Sequence, residues 1–307
     1  MVYFCTRFEN AKGLSRGEIN VSEGFLVKLH RRASGRLKGF IAALRNLVLQ
    51  QALLFWDDTV IMIDKARACL RFYGTQLLAL YKAHAHKDKA GLDKDNILNL
   101  LPDTTVVVHD HNKVNYNKDY SFQNAQCHVH LIRDLQRVID NLKSQWATFL
   151  IALLVETNNV RKKKKEAGEK GFTAAFLRDF FEQFSRILSA ALLENAATGD
   201  VYYAHEEQIL IKRILEYQNE YLLWVIDFDV PFSNNLSERS LRDLKSKMKI
   251  SGQFNNIETA GYYADIKSYV ETCYRNDVNG FYALHQLCMG TPITLTELLQ
   301  VPHQGCE

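Results

Sequence analysis

Three sets of acidic residues stand where carboxylates can do chemistry. Asp57 and Asp58 interrupt an otherwise apolar run, LLFWDDTVIMI (53–63), and Asp110 follows the β-branched stretch Thr104–Val108. Glu238 lies in FDVPFSNNLSERSLRDLKSKMK (228–249). A carboxylate on an apolar strand is costly to bury unless it is paired or holds a cation. Three carboxylates delivered by two strands and a helix can converge on two divalent ions about 3.5–4 Å apart, a pair that clamps both oxygens of an in-line phosphoryl displacement. All-oxygen ligands suit Mg2+ or Mn2+ better than zinc. Against this, Glu238 falls three residues after Asn235 and can complete a capping box by bonding back to the cap amide. Acids at strand ends are also common, so the residues alone leave both readings open.

The elements that must carry these acids follow from pattern. The run at 53–63 fits a central strand buried on both faces. Ala68–Tyr73 and Gln76–Tyr81, with Gly74 marking a turn, extend it to a three-stranded antiparallel meander. A helical signal at Lys94–Leu101 ends at Pro102. Thr104–Val108 is a strand, Ser121–Cys127 a further short one, and His130–Lys143 has helical spacing. Before the first strand, amphipathic helices are expected from Ser22 and over Leu37–Leu54, with Arg16, Lys28, Arg31, Arg32, Arg36 and Lys38 on their outer surface as a solvated face or a DNA contact. Residues 145–228 are helical in pattern almost throughout, and this block reads as an insertion into a sheet-bearing domain. Its basic run, Arg161–Lys165, reads as a solvated helix end or a phosphate contact.

Pro231 breaks the chain before the Glu238 helix, and Ser233, Asn234 and Asn235 offer N-cap side chains. Leu241, Leu244 and Met248 form its apolar stripe, while Arg239, Arg242, Lys245, Lys247 and Lys249 crowd the rest. That layout suits metal ions at one end and a polyanion along the side. Helices over Ile257–Asn276 and within Phe281–Leu299 close the chain.

At 307 residues, 47% hydrophobic and 24% charged, the composition is that of a globular protein with ample core. The net charge of +3 confines nucleic-acid contact to local clusters. Six scattered cysteines (Cys5, Cys69, Cys127, Cys273, Cys288, Cys306) without a C-x-x-C pair point to free thiols and a reducing cytoplasm. The N-terminus has no signal-peptide pattern, and the longest apolar run, Trp146–Val155, is too short to span a bilayer, so no membrane partner is expected.

WDDT (56–59), LRFYG (70–74), VVVHDHNKVNYN (106–117), CHVHLIRDL (127–135) and PFSNNLSERSLR (231–242) together resemble the catalytic region of insertion-sequence-66-type DDE transposases. The resemblance runs from about Leu14 to Pro292. It implies a mixed α/β fold: a ribonuclease-H-like core sheet with flanking helices and a large all-helical insertion before the last catalytic helix. In domain terms this gives an N-terminal helical region (1–52), core (53–145), insertion (146–229), core with the Glu238 helix (230–290) and a tail (291–307). It implies Asp57, Asp110 and Glu238 as catalytic, metal-holding residues for two Mg2+ or Mn2+ ions. It also implies DNA as partner, hydrolysis at transposon ends followed by strand transfer into target DNA, and a homo-oligomeric synaptic complex. Asp58 falls where relatives often carry glutamate. The upstream DNA-reading region and the zinc-binding segment common in the family are not recognisable. End recognition is therefore expected from the helices before Leu54, or the copy is truncated or split.

His130 and Arg133 are expected near the acidic centre, contacting phosphate. Asn234, Asn235, Arg239, Arg242 and Lys245 are further DNA-contact candidates, Asn234 and Asn235 serving first as caps. The two arginines can grip phosphate bidentately or pair with Asp243 or insertion acids. His109 and His111 are expected to hydrogen-bond locally. Cys127, His128 and His130 invite a zinc reading, but no second ligand pair accompanies them, and Cys127 is read as packing. Two alternatives remain: a ribonuclease-H-like nuclease without strand transfer, and a non-catalytic DNA-binding remnant or assembly partner.

Overall fold

A computed structural model describes residues 22–199 and 201–300. The expectations for Cys5, Arg16 and Cys306, for the remainder of 1–21, and for the side chains of Lys247 and Lys249 lie outside the described residues. In chain order the elements are α1 (Glu23–Arg36), α2 (Lys38–Val48), β1 (Leu53–Ile63), β2 (Ala66–Gly74), β3 (Ala79–His84), α3 (Lys89–Asp95), β4 (Val106–His109), β5 (Gln123–Gln126), α4 (His128–Leu142) and α5 (Gln145–Glu166). They continue with α6 (Ala174–Thr198), α7 (Tyr202–Glu216), α8 (Gln218–Ile226), α9 (Asn235–Ser251), α10 (Ile257–Arg275), α11 (Gly280–Met289) and α12 (Leu295–Gln300). The chain forms two compact units. The described parts of unit 1 are 22–105, 116–122 and 235–300, and those of unit 2 are 106–115, 123–199 and 201–234.

Unit 1 is built on the antiparallel meander β1–β2–β3. Asp64 and Lys65, both at positive φ (44° and 65°), connect Ile63 to its partner Ala66. Two-residue hairpin loops need that backbone to match the strand twist. Without an Asn-Gly signal it goes unannounced in the sequence, and β2 starts two residues earlier than the pattern predicts. Gly74 is required for the second turn, because a Cβ there would lie 2.2 Å from Leu78 O. Thr75 then closes the turn, its amide donating to Leu78 O at 2.9 Å. The outer edge of β3 is covered by α10: Tyr81 N–H donates to Ser268 Oγ (2.8 Å) and Ala79 N–H to Thr272 Oγ1 (3.2 Å). Those side chains supply partners that an exposed edge strand would otherwise seek elsewhere.

Two helical expectations need correction. The segment predicted over Leu37–Leu54 ends at Val48, and Leu53 and Leu54 open β1, where Leu54 is fully buried. The helix predicted over Lys94–Leu101 is α3, seven residues long, with only a single 3₁₀ turn at Leu98–Leu100. Asp88 starts α3 by accepting Gly91 N–H (2.7 Å), and Asn96 ends it in the left-handed region at φ 53°. Capping side chains, rather than apolar spacing, set its limits.

Unit 2 pairs β4 and β5 in parallel and is otherwise helical through α4–α8. The insertion helices pack on Trp146, Phe180, Phe184, Leu188, Ile211 and Trp224, all essentially buried. Each such side chain contributes about 1.5–3 kcal/mol of transfer free energy. A buried carboxylate joins three elements: Glu207 accepts from Ser144 Oγ (2.6 Å), Trp146 Nε1 (2.7 Å) and Asn195 Nδ2 (2.7 Å). The antiparallel meander and the parallel pair together make the fold mixed α/β. Among the described residues no helix is long and apolar enough to cross a membrane.

Candidate active site

The acids at 57 and 58 occupy the middle of β1, not its exit, and the pleat sends them to opposite faces. Register places Asp57 opposite Phe72, and Phe72 opposite Tyr81, so these three share one face. Tyr81 Oη donates to Ser240 O of α9 (3.1 Å), and the guanidinium of Arg275 lies 5.2 Å from the Phe72 ring while donating to Ser240 Oγ (2.7 Å). Asp57 thus lies on the face that α9 covers, and α9 carries Glu238. Asp58 is opposite Arg71, in the row that faces α3. Arg71 is fully buried there, donating to Gly91 O (2.9 Å), His86 O (2.8 Å) and Asp95 Oδ2 (2.7 Å). The Asp58 carboxylate is 7% exposed and takes an ion pair from Lys87 at 2.6 Å. The two aspartates differ by face: Asp57 stands toward the helix of Glu238, Asp58 away from it.

On α9 the buried stripe is Ser237, Ser240, Leu241 and Leu244. Glu238, half-buried, flanks that stripe, and Arg242 and Lys245 follow it at i+4 and i+7 on the same side, both exposed. Arg239 and Asn235 are exposed as well. Among the described residues no ion pair joins Arg239 or Arg242 to Asp243. The helix starts at Asn235, which puts Ser237, not Glu238, three residues after the flanking Asn234.

Unit 2 holds Asp110, half-buried directly after β4. The residue before it is anchored: His109 is fully buried, its Nε2 2.8 Å from Asn124 Oδ1 and its Nδ1 3.0 Å from Asn115 Nδ2. Burial lowers its pKa and keeps the ring neutral. His111 lies 3.1 Å from Gln126 Nε2 and edge-on to Tyr217. Burial, then the charge of Arg213, lowers its pKa to about 4. His128 is a core residue, not a ligand candidate: its Nε2 accepts Trp224 Nε1–H at 2.9 Å, and its ring stacks on Phe232 at 4.5 Å. Burial lowers its pKa to about 3. His130 is half-buried and Arg133 exposed, both on the first turns of α4.

Cys127 does more than pack. Its amide donates to His109 O (2.9 Å), and its Sγ accepts Asn234 N–H (3.2 Å). One residue thus touches both the backbone ahead of Asp110 and the backbone ahead of α9. Asn234 is 1% exposed, so as a DNA contact it is corrected to a structural residue of the turn. The basic run also needs correction at its first member. Arg161 is 7% exposed and donates through Nη2 to Phe228 O (2.6 Å) and Val230 O (2.5 Å), with Trp224 and Phe228 rings beside it. Lys165 donates to Phe228 O (2.9 Å). A run of five basic residues looks solvated in one dimension; the irregular segment at 227–234, about seventy residues away, is what recruits two of them. Sequence reasoning missed Arg161, Trp224 and Phe232. The closest signal was the aromatic content around Pro231.

The sequence model of the transposase IS66 family matches residues 6–261. No curated protein and no solved structure gave a significant match.

Proposed function

Because this chain belongs to the IS66 family of transposases, we propose that it cuts phosphodiester bonds at the ends of a transposable element and joins the freed 3′-hydroxyl to target DNA. In this reading the core is ribonuclease-H-like, and Asp57, Asp110 and Glu238 form the metal-holding triad. The observation that carries it is Cys127, hydrogen-bonded to His109 O and to Asn234 N–H. It joins the stem of Asp110 to the segment from which α9 departs toward Glu238. The placing of Asp57 on the α9 face of the meander supports the same assignment independently.

The donor set fits hard divalent cations: three carboxylates offer oxygen only, the preference of Mg2+ and Mn2+. Bound there, two such ions would neutralise charge building on the phosphate and activate the attacking oxygen. The chain's own part is positioning and electrostatics, which dominate phosphoryl transfer. Arg239, Arg242 and Lys245 hold DNA phosphates along the exposed side of α9, the arginines bidentately. Arg133 and His130, on α4, contact phosphate nearer the acids. DNA is the partner, and synapsis of two ends brings two or more copies together.

The test is a duplex carrying the inverted repeats that flank the gene, incubated with labelled target DNA and Mg2+ or Mn2+. Cleavage at the repeat end and a joined product are expected, both abolished by Asp110→Asn. Cleavage with no joined product would reduce the protein to a nuclease. Metal-independent behaviour, unchanged by Asp110→Asn, would leave a DNA-binding remnant.

A further inference from the structure

Between α8 and α9 the chain runs without regular structure through Asp227–Asn234, interrupted by Pro231. Backbone polar groups in such a segment need partners, and here every second one has a partner within unit 2. Phe228 O and Val230 O accept from Arg161 Nη2, Phe232 O accepts His128 N–H (3.1 Å), and Asn234 N–H donates to Cys127 Sγ. The Phe232 ring is sandwiched into the same arrangement: it stacks on His128 and meets Trp224 edge-on at 4.8 Å. Trp224 in turn fixes His128 through its indole N–H. The segment is a strap, turned at Phe228 and Asp229, pinned at alternate residues by one guanidinium, one backbone amide whose imidazole stacks on Phe232, and one sulfur.

We infer that Arg161, Trp224, His128 and Cys127 form a positioning clamp that holds the 227–234 segment, and with it the residue from which α9 departs, to the backbone that carries Asp110. The inference rests on the transposase reading above. The pinned atoms end at Asn234, α9 begins at the next residue, and Glu238 follows within one turn. Cys127 makes the link specific, because its amide holds the residue before Asp110 while its sulfur holds Asn234. A purely aromatic cluster would stabilise the unit without coupling these two positions. The neutral state of His128, with its pKa near 3, keeps Nε2 an acceptor over the working pH range. None of the four touches the reacting atoms in this account; they act through the backbone at His109, ahead of Asp110, and at Asn234, ahead of α9.

The test compares Trp224→Phe, which removes one N–H and keeps an aromatic ring, with Cys127→Ala and Cys127→Ser in the full chain. The first two are expected to lower kcat about 10- to 100-fold, the cost of a sub-ångström to 1 Å misplacement. KM for the duplex should stay within about threefold, because the phosphate-gripping cations are untouched. Mn2+ affinity, measured by calorimetry without DNA, should weaken about tenfold, as for lost supports of metal ligands. Cys127→Ser retains an acceptor for Asn234 N–H and should recover most of both losses. Amide exchange at 236–241 should accelerate in Trp224→Phe and Cys127→Ala alone. Equal losses in Cys127→Ser and Cys127→Ala, or unchanged exchange and Mn2+ affinity, would overturn the clamp. Should Trp224→Phe fail to fold, Arg161→Lys, which keeps one donor to the strap, gives the same comparison. A wild type that cleaves and loses activity on Asp110→Asn, beside fully active clamp variants, sinks the clamp alone. A wild type indifferent to Mn2+ and to Asp110→Asn sinks the transposase reading instead, and the exchange measurement still decides the clamp.

Discussion

Two adjacent aspartates on one strand are expected to behave as strangers. Asp57→Asn removes an oxygen ligand on the face that α9 covers, and should cut cleavage by at least about 10²-fold with little change in stability. Asp58→Asn breaks an ion pair whose lysine is half exposed, a loss of at most about 1 kcal/mol. Cleavage by that variant should stay within a few-fold of wild type, and equal damage from both substitutions would refute the assignment by face. The sequence made both acids visible, since an apolar run tolerates few charges. It could not say which one faced the helix, because that depends on a cross-strand register running through Phe72 to Tyr81. Glu238 was equally visible, but its position three residues after Asn235 suits a capping box as well as a metal ligand. Arg161 shows the opposite failure, a charge in a basic run whose partners are carbonyls far along the chain.

At the scale of elements, α3 is held to β2 by a buried charge network that pattern reading could not see. Arg71 and Asp95 form a 2.7 Å ion pair with side chains 0% and 6% exposed, and Tyr73 Oη donates to the same carboxylate at 2.9 Å. Asp95→Asn leaves a buried guanidinium without its counter-charge and should cost about 3–5 kcal/mol in urea unfolding. Arg71→Met with Asp95→Leu should cost clearly less than the single change, since an apolar pair pays no desolvation. A double variant as damaged as the single would mean that the carbonyl bonds of Arg71, not the ion pair, hold α3. The cationic side of α9 makes a second prediction of this scale. If Arg239, Arg242 and Lys245 meet phosphates, changing all three to Gln should lower the slope of log K against log salt by about 0.9 for each. An unchanged slope would remove α9 from the DNA interface. Strands and long helices were legible from periodicity because burial imposes it. The ends of α2 and α3 were not, because caps and hairpin turns such as Asp64-Lys65 are set by single residues.

Across the whole molecule, the histidines whose titration burial depresses are unevenly placed. His109, His111 and His128 all belong to unit 2, with His111 near 4 and His128 near 3. In the unfolded chain each titrates near 6.5. Above that pH both states carry neutral rings, and the stability is fully present. As pH falls below 6.5 the unfolded chain takes up protons that the folded unit refuses, so stability declines. The decline amounts to at most about 1.4 kcal/mol per pH unit for each histidine. It continues until the folded rings themselves titrate, near pH 4 for His111 and pH 3 for His128. The groups around His111 do not reverse the sign, since Arg213, His109 and Lys113 oppose protonation and only Asp110 favours it. Between pH 6.5 and 5, before most carboxylates titrate, unit 2 should therefore lose amide-exchange protection ahead of the β1–β3 meander of unit 1. Urea unfolding should show the same slope, and His111→Gln should make it shallower by the share of one histidine. A stability flat from pH 7 to 5, or a meander that opens before the insertion helices, would show that the acid sensitivity does not come from these rings.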